Sequence, residues 1–282
     1  MESREKHFLC LLNKNAKDDG ILGKFITLGT MNNLKLGKVK TTGSAFSAGL
    51  EKTLDVAAGD VLMELIGITS EDTSAFLKDA SSLPGVTAMQ INPTHLSDIF
   101  AACSPVKVPS SSTLCLIKPH ILQSNGYTGT YSFKLDGSMV WDNKQKEKNR
   151  AGELISSITD AGFTIKAAAT IHLSMGMSEQ FFEVYRAVLP NYVSMIEQVS
   201  CGPLLALLID KASPEMYAQV DTVTAFRALV GPYEPEIARA LRSDSLRAIY
   251  GVDFAKNAVH CTDLAEDGEL ECLHFFETLS AV

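Results

Sequence analysis

Thr113-Leu114-Cys115-Leu116-Ile117-Lys118-Pro119 is an apolar run stopped by Lys-Pro, the pattern of a buried strand that ends at a site. A similar run, Phe8-Leu9-Cys10-Leu11-Leu12-Asn13-Lys14, stands near the start of the chain. The parallel continues in order. The helix-like Gly20–Ile26 is matched by Ala151–Ile155, the strand candidate Leu34–Thr41 by Phe163–Ala169, and Ala58–Leu65 by Cys201–Leu208. Finally, Asn92-Pro93-Thr94-His95-Leu96-Ser97-Asp98 mirrors Asn257-Ala258-Val259-His260-Cys261-Thr262-Asp263. Four matches beyond the first strands, all in one order, predict two copies of one α+β domain. We place the first at residues 1–103 and the second at 113–282. The Pro/Ser-rich segment 104–112 reads as a linker between them.

The copies differ in their chemistry. Arg4 is the one arginine before Arg150, whereas Arg150, Arg186, Arg227, Arg239, Arg242 and Arg247 all lie in the second copy. A polyphosphate clamp of planar, bidentate donors cannot be assembled in the first. The second copy also carries an insertion at about 126–149. There Tyr131–Leu135 and Ser138–Trp141 flank Asp136-Gly137, a turn of the kind that closes a β-hairpin. The basic residues Lys144, Lys146, Lys148 and Arg150 follow it and would suit an acidic protein surface.

His260 is the candidate reactive residue. Asn257 stands three residues before it and Asp263 three after, with Glu271, Arg227 and Arg247 available from elsewhere. Those residue types suit a phosphate-accepting histidine, in which one ring nitrogen attacks and a carboxylate orients the other. His95 lacks the arginines and reads as a scaffold residue.

Composition narrows the remaining classes. With 46% hydrophobic and 21% charged residues and a net charge of −8, the chain is neither disordered nor a general nucleic-acid binder. No apolar run approaches the length of a membrane helix, and the charged N-terminus does not read as a secretory signal, so a cytosolic location is expected. The six cysteines show no Cys-x-x-Cys spacing and read as reduced core thiols, with no metal site expected. P-loop, dinucleotide-binding and zinc-protease words are absent.

The words Leu116-Ile117-Lys118-Pro119, Ser200-Cys201-Gly202-Pro203, Phe226–Pro232, Ser245–Gly251 and the His260 run together resemble the nucleoside diphosphate kinase family from Thr113 to Leu279. Their details are similar to a tandem-domain branch of it associated with ciliary axonemes. The resemblance implies two ferredoxin-like α/β sandwich domains in tandem, each an antiparallel sheet with helices on one face, packed as an intramolecular pseudo-dimer. It implies transfer of the γ-phosphate of ATP or another nucleoside triphosphate to a nucleoside diphosphate through phospho-His260. Glu271 would orient the imidazole, while Lys118, Arg227, Arg247 and Asn257 hold the phosphates or sugar and Mg2+ arrives on the nucleotide. Tyr192 and Phe254 would sandwich the base. Phe182 stands where the family has a tyrosine, Tyr233 where it has a threonine and His120 where it has an aspartate. The resemblance further implies axonemal partners such as tubulin and a place in the cytoskeleton of the cilium or flagellum. A structural microtubule-associated role with weak or no kinase activity is the alternative.

Overall fold

A computed structural model of the chain describes residues 5–48, 54–67, 70–123, 129–133, 139–143, 149–213, 215 and 219–279. The first half runs β1 (Lys6–Leu12), α1 (Lys14–Asp18), α2 (Ile21–Met31), β2 (Lys35–Thr41), β3 (Phe46–Ala48), β4 (Leu54–Val56), β5 (Val61–Gly67), α3 (Ser70–Ala80), β6 (Val86–Ile91) and α4 (Pro93–Ala101). The second runs β7 (Thr113–Ile117), α5 (Pro119–Leu122), β8 (Gly129–Phe133), β9 (Met139–Asn143), α6 (Ala151–Asp160), β10 (Phe163–Ile171), α7 (Met175–Phe181), α8 (Tyr192–Ser200), β11 (Leu204–Lys211), α9 (Thr222–Val230), α10 (Pro235–Leu241), α11 (Leu246–Tyr250), β12 (Val259–Cys261) and α12 (Gly268–Leu273), and closes in a π-helical turn, His274–Leu279.

Eight of these strands form one antiparallel sheet in the order β12-β7-β11-β10-β2-β5-β1-β6. Each half contributes four strands in the order fourth, first, third, second, and the two second strands, β10 and β2, meet at the centre. Where their ladder is sparse, two threonines complete it. Val39 N–H donates to Thr170 Oγ1 and Ala168 N–H to Thr41 Oγ1, both at 2.9 Å. Above this seam α2 and α6 touch through glycines. A Cβ on Gly23 would lie 2.8 Å from the carbonyl oxygen of Gly152, and one on Gly152 would lie 2.6 Å from that of Gly23. The nearly buried Lys17 donates from its ammonium to the Lys166 carbonyl at 2.7 Å, tying α1 to β10.

Both faces of the sheet are covered, which corrects the expectation of helices on one face. Phe8, Cys10 and Leu12 of β1, with Cys115 and Ile117 of β7, pack under α2, α3, α6, α9 and α11 in one core that spans the two halves. The alternate residues face the other way. Leu114 and Leu116 pack against α8, α12 and the π-helical turn, and Leu9 and Leu11 pack against α4 and the β3–β4 ladder. Continuous rather than alternating apolar strands are what two-sided burial requires. The 104–112 segment is also packed: Val108 is buried in the second-half cluster and Gly43 N–H donates to the Ser104 carbonyl at 2.9 Å.

The His95 parallel is overturned. His260 lies on β12, whereas His95 lies within α4, beyond the fourth strand of its half. Cys201 is exposed, a further departure from the expected buried thiols. The inserted hairpin pairs β8 with β9 from Gly129↔Asn143 to Phe133↔Met139. The anticipated turn at Asp136-Gly137, together with Lys144, Lys146 and Lys148, lies outside the described residues.

Candidate functional site

Strand β7 carries the chain to Lys118, whose extended backbone precedes Pro119 at the first turn of α5, a position where a missing N–H costs nothing. The Lys118 N–H donates to the Ala258 carbonyl at 3.0 Å, so the end of β7 is tied to the entry of β12. Ala258 has φ 73°, and Val259 N–H donates across it to the Asn257 carbonyl at 3.0 Å. This γ-turn is a strained backbone for an alanine, of order 1–3 kcal/mol, and it sets Asn257 and His260 on either side of a sharp bend.

His260 pairs with Leu116 across the β12–β7 ladder, and directly opposite residues share a face. The imidazole therefore points to the side covered by α7, α8 and α12. Phe182 and Phe181 meet it edge-on, with ring centroids 5.1 and 5.6 Å away. Its Nε2 faces Glu271 Oε2 at 3.7 Å, beyond hydrogen-bond range, and both atoms are buried without a partner. That corrects the direct hydrogen bond expected from the sequence. The carboxylate nevertheless approaches Nε2, which leaves Nδ1 for attack on a ligand.

Arg247, 8% exposed, donates from Nη1 to the Gly231 carbonyl and from Nη2 to the Val259 carbonyl, both at 3.1 Å. It bridges the loop after α9 to the strand that carries His260, and its guanidinium lies 5.2 Å from the Tyr233 ring centre. Gly231 (φ 83°) makes that approach possible, because a Cβ there would collide with the Ser245 side chain. Asn257 donates from Nδ2 to the Tyr233 carbonyl at 3.1 Å. The Lys118 ammonium donates to the Ala255 carbonyl at 2.9 Å. Burial, with Arg247 adding to it and Asp253 opposing, lowers its pKa to about 7. The same causes, with Lys118 and Lys256 as the charges, hold His120 neutral at about 4.

Several buried polar atoms around this loop lack a protein partner: Arg247 Nε, Asn257 Oδ1, Tyr233 Oη, Ser245 Oγ and both His120 nitrogens. Buried polar groups are normally satisfied, so this concentration fits a polar ligand that completes them.

The candidate residues singled out by the sequence are brought together only in part. Lys118, Arg247, Asn257, Tyr233, His260 and Glu271 adjoin one another, and Phe254 packs on Tyr233 with centroids 4.8 Å apart. Tyr192 is a correction: it is buried in the α7–α8 core and donates its hydroxyl to the Glu179 carbonyl at 3.2 Å, so it does not face Phe254 across a base site. Arg227 is present but engaged, ion-paired to Asp263, which also accepts from the Tyr185 hydroxyl. Phe181 and the Tyr185–Asp263–Arg227 set were not foreseen. Asp263 and Arg227 were each singled out in the sequence; their direct pairing was not.

Known proteins resemble this chain in sequence. The family profile described as "Nucleoside diphosphate kinase" matches residues 144–280. A mouse protein named "Nucleoside diphosphate kinase homolog 7" is 34% identical over 179 residues, covering 63% of this chain but 37% of that protein, so the chain spans little more than a third of that relative. Nucleoside diphosphate kinases of Chloroherpeton thalassium and Aquifex aeolicus are 30% and 29% identical over 135 and 136 residues, each covering 48% of this chain and 87% and 89% of the bacterial proteins. A crystal structure of the Aquifex aeolicus enzyme aligns with 61% of this chain and 98% of its own, at 24% identity and a TM-score of 0.45. With the Chloroherpeton thalassium enzyme 30% identical over 87% of its length, and with a histidine, a lysine and an arginine converging at the ends of β7 and β12, the chain belongs to the nucleoside diphosphate kinase family.

Proposed function

We propose that the second half transfers the terminal phosphoryl group of a nucleoside triphosphate to a nucleoside diphosphate through His260. The observation that carries this reading is the placement of Glu271 against Nε2 at 3.7 Å, which leaves Nδ1 as the nucleophile. In the first step the Nδ1 lone pair forms the N–P bond while the bond to the bridging oxygen breaks and the diphosphate leaves. In the second, a terminal oxygen of the acceptor diphosphate attacks the phosphorus and returns the imidazole. Transfer of this kind depends chiefly on positioning and charge neutralisation. Lys118 and Arg247 supply charge, and Asn257 and Tyr233 supply polar contacts. Arg227 would have to exchange Asp263 for phosphate. Magnesium enters on the nucleotide and screens its phosphates. Phe182 brings a ring but no hydroxyl to the histidine, so a slower enzyme is expected than one with a tyrosine there.

Initial-rate measurements with ATP and a second nucleoside diphosphate check the scheme. Parallel double-reciprocal lines are expected of a phosphoenzyme that releases its first product before binding the acceptor. Intersecting lines would show direct transfer in a ternary complex and remove His260 as an intermediate.

The lysine adds a pH dependence. Free Lys118 loses its proton near pH 7, whereas phosphate favours the ammonium. Binding therefore takes up a proton above pH 7, and nucleotide affinity is expected to fall by up to about tenfold per unit as pH rises, and to be flat below it. Calorimetric titration from pH 6.5 to 9 checks this; Lys118→Arg should flatten the curve, and an identical slope in that variant would clear Lys118 of the effect.

We infer that the first half performs no transfer. Its described residues include no arginine, and His95 sits in a helix. It serves instead as a built-in partner, the two halves packing as a pseudo-dimer. The axonemal and tubulin contacts, and a place in the cilium or flagellum, rest on the sequence resemblance, with the β8–β9 hairpin as the element available for them.

A further inference from the structure

A trough crosses the middle of the sheet on the face opposite α2 and α6. Lys38 and Lys40 of β2 and Ala169 and Ile171 of β10 form its floor, and Met177 and Leu279 line its side. It encloses about 590 Å3, and a second cleft of about 260 Å3 shares Gly37 and Thr170 with it and adds Lys35. The trough follows from the architecture. Each half brings its own cover to this face, and among the described residues no residue of β2 belongs to either apolar cluster there.

Lys40 is the informative residue. It is only 8% exposed, yet its ammonium has no hydrogen bond or ion pair among the described residues. The nearby acid does not compensate it. Glu64 is held by His7 Nδ1 at 2.7 Å and by the Lys38 N–H at 3.2 Å. Lys38 itself lies 5.7 Å from the Phe100 ring centre, and burial keeps the neighbouring Cys103 thiol protonated, pushing it up to about 11. The Lys40 stem is buried while the ammonium at its tip opens into the trough, where an anion would meet it and an apolar residue would offer nothing.

The geometry points to a binding site for a small amphipathic carboxylate, with its anion on Lys40 and its apolar body between Ile171, Met177 and Leu279. The volume lies in the range of small-molecule sites. Lys40, with Lys38 and the engaged Glu64 as its charged neighbours in the lining, suits a single negative charge and suits a polyphosphate poorly, so this site is separate from that at His260.

The anionic fluorophore anilinonaphthalene sulfonate, titrated into the full chain, provides the test. Saturable binding is expected, displaced by decanoate but not by decylammonium, decanol or ADP. Lys40→Met should weaken the probe by roughly ten- to a hundred-fold, the worth of one hydrogen bond to a charged group, while Lys40→Arg retains it. Because the Lys40 ammonium makes no hydrogen bond or ion pair within the described residues, Lys40→Met should leave the melting temperature unchanged, which separates lost binding from lost structure. Undiminished binding in folded Lys40→Met, displacement by decanol as effective as by decanoate, or competition by ADP would each overturn the assignment.

Discussion

Gly152→Val is expected to destabilise the whole chain by about 3 kcal/mol or more, the upper range for forcing atoms into a packed interior. The reason is the closeness of α2 and α6. A Cβ at 152 would meet the Thr27 hydroxyl and main chain as well as the Gly23 carbonyl, and backbone cannot step aside as a side-chain tip can. The apolar core beneath these helices is shared by both halves, so prising them apart exposes Ile26 and Ile155 together. Against a total stability of about 5–15 kcal/mol the loss is large. Gly176→Ala is the control, because nothing lies within 4 Å of a Cβ there. Urea unfolding of the two variants measures the contrast. A Gly152→Val midpoint equal to that of Gly176→Ala would show that the helices do not meet through their glycines.

Arg247→Met should lower phosphoryl transfer by roughly a hundred- to a thousand-fold, the usual cost of losing one preorganised donor to developing charge. Two effects combine. The guanidinium holds the Gly231 and Val259 carbonyls, fixing the Tyr233 loop against the strand of His260, and its unpaired Nε remains for phosphate. Methionine fills the space but leaves both carbonyls without that donor, at about 1–3 kcal/mol of stability. Arg247→Lys should rescue little, since one ammonium cannot span two acceptors and also present a third donor. Steady-state kcat/KM on folded protein checks the claim; a loss of less than about threefold would remove Arg247 from the phosphate site.

Much of this was legible in the chain. The runs at Phe8, Thr113 and Leu204 are strands, and the Lys-Pro stop after Ile117 does mark the approach to the site. Other features were legible but misread. Tyr192, Met195, Ile196 and Val199 recur at helical spacing, the mark of a core stripe, and that periodicity outweighs Tyr192's proximity to the site. Likewise Asn92-Pro93-Thr94 is a helix start, with Asn92 capping the Thr94 N–H and Pro93 in the first turn. Its likeness to the His260 word is therefore local only. The second covered face, the Asp263–Arg227 pair and the glycine contact between α2 and α6 depend on elements distant in sequence, and no short window of residues contains them.

The central claim is that His260 accepts phosphate, and labelling tests it most directly. The folded chain, incubated with γ-labelled ATP, is expected to take up acid-labile, base-stable label that a nucleoside diphosphate removes and that His260→Ala does not acquire. No label on the folded wild-type chain, or equal label on His260→Ala, would contradict it.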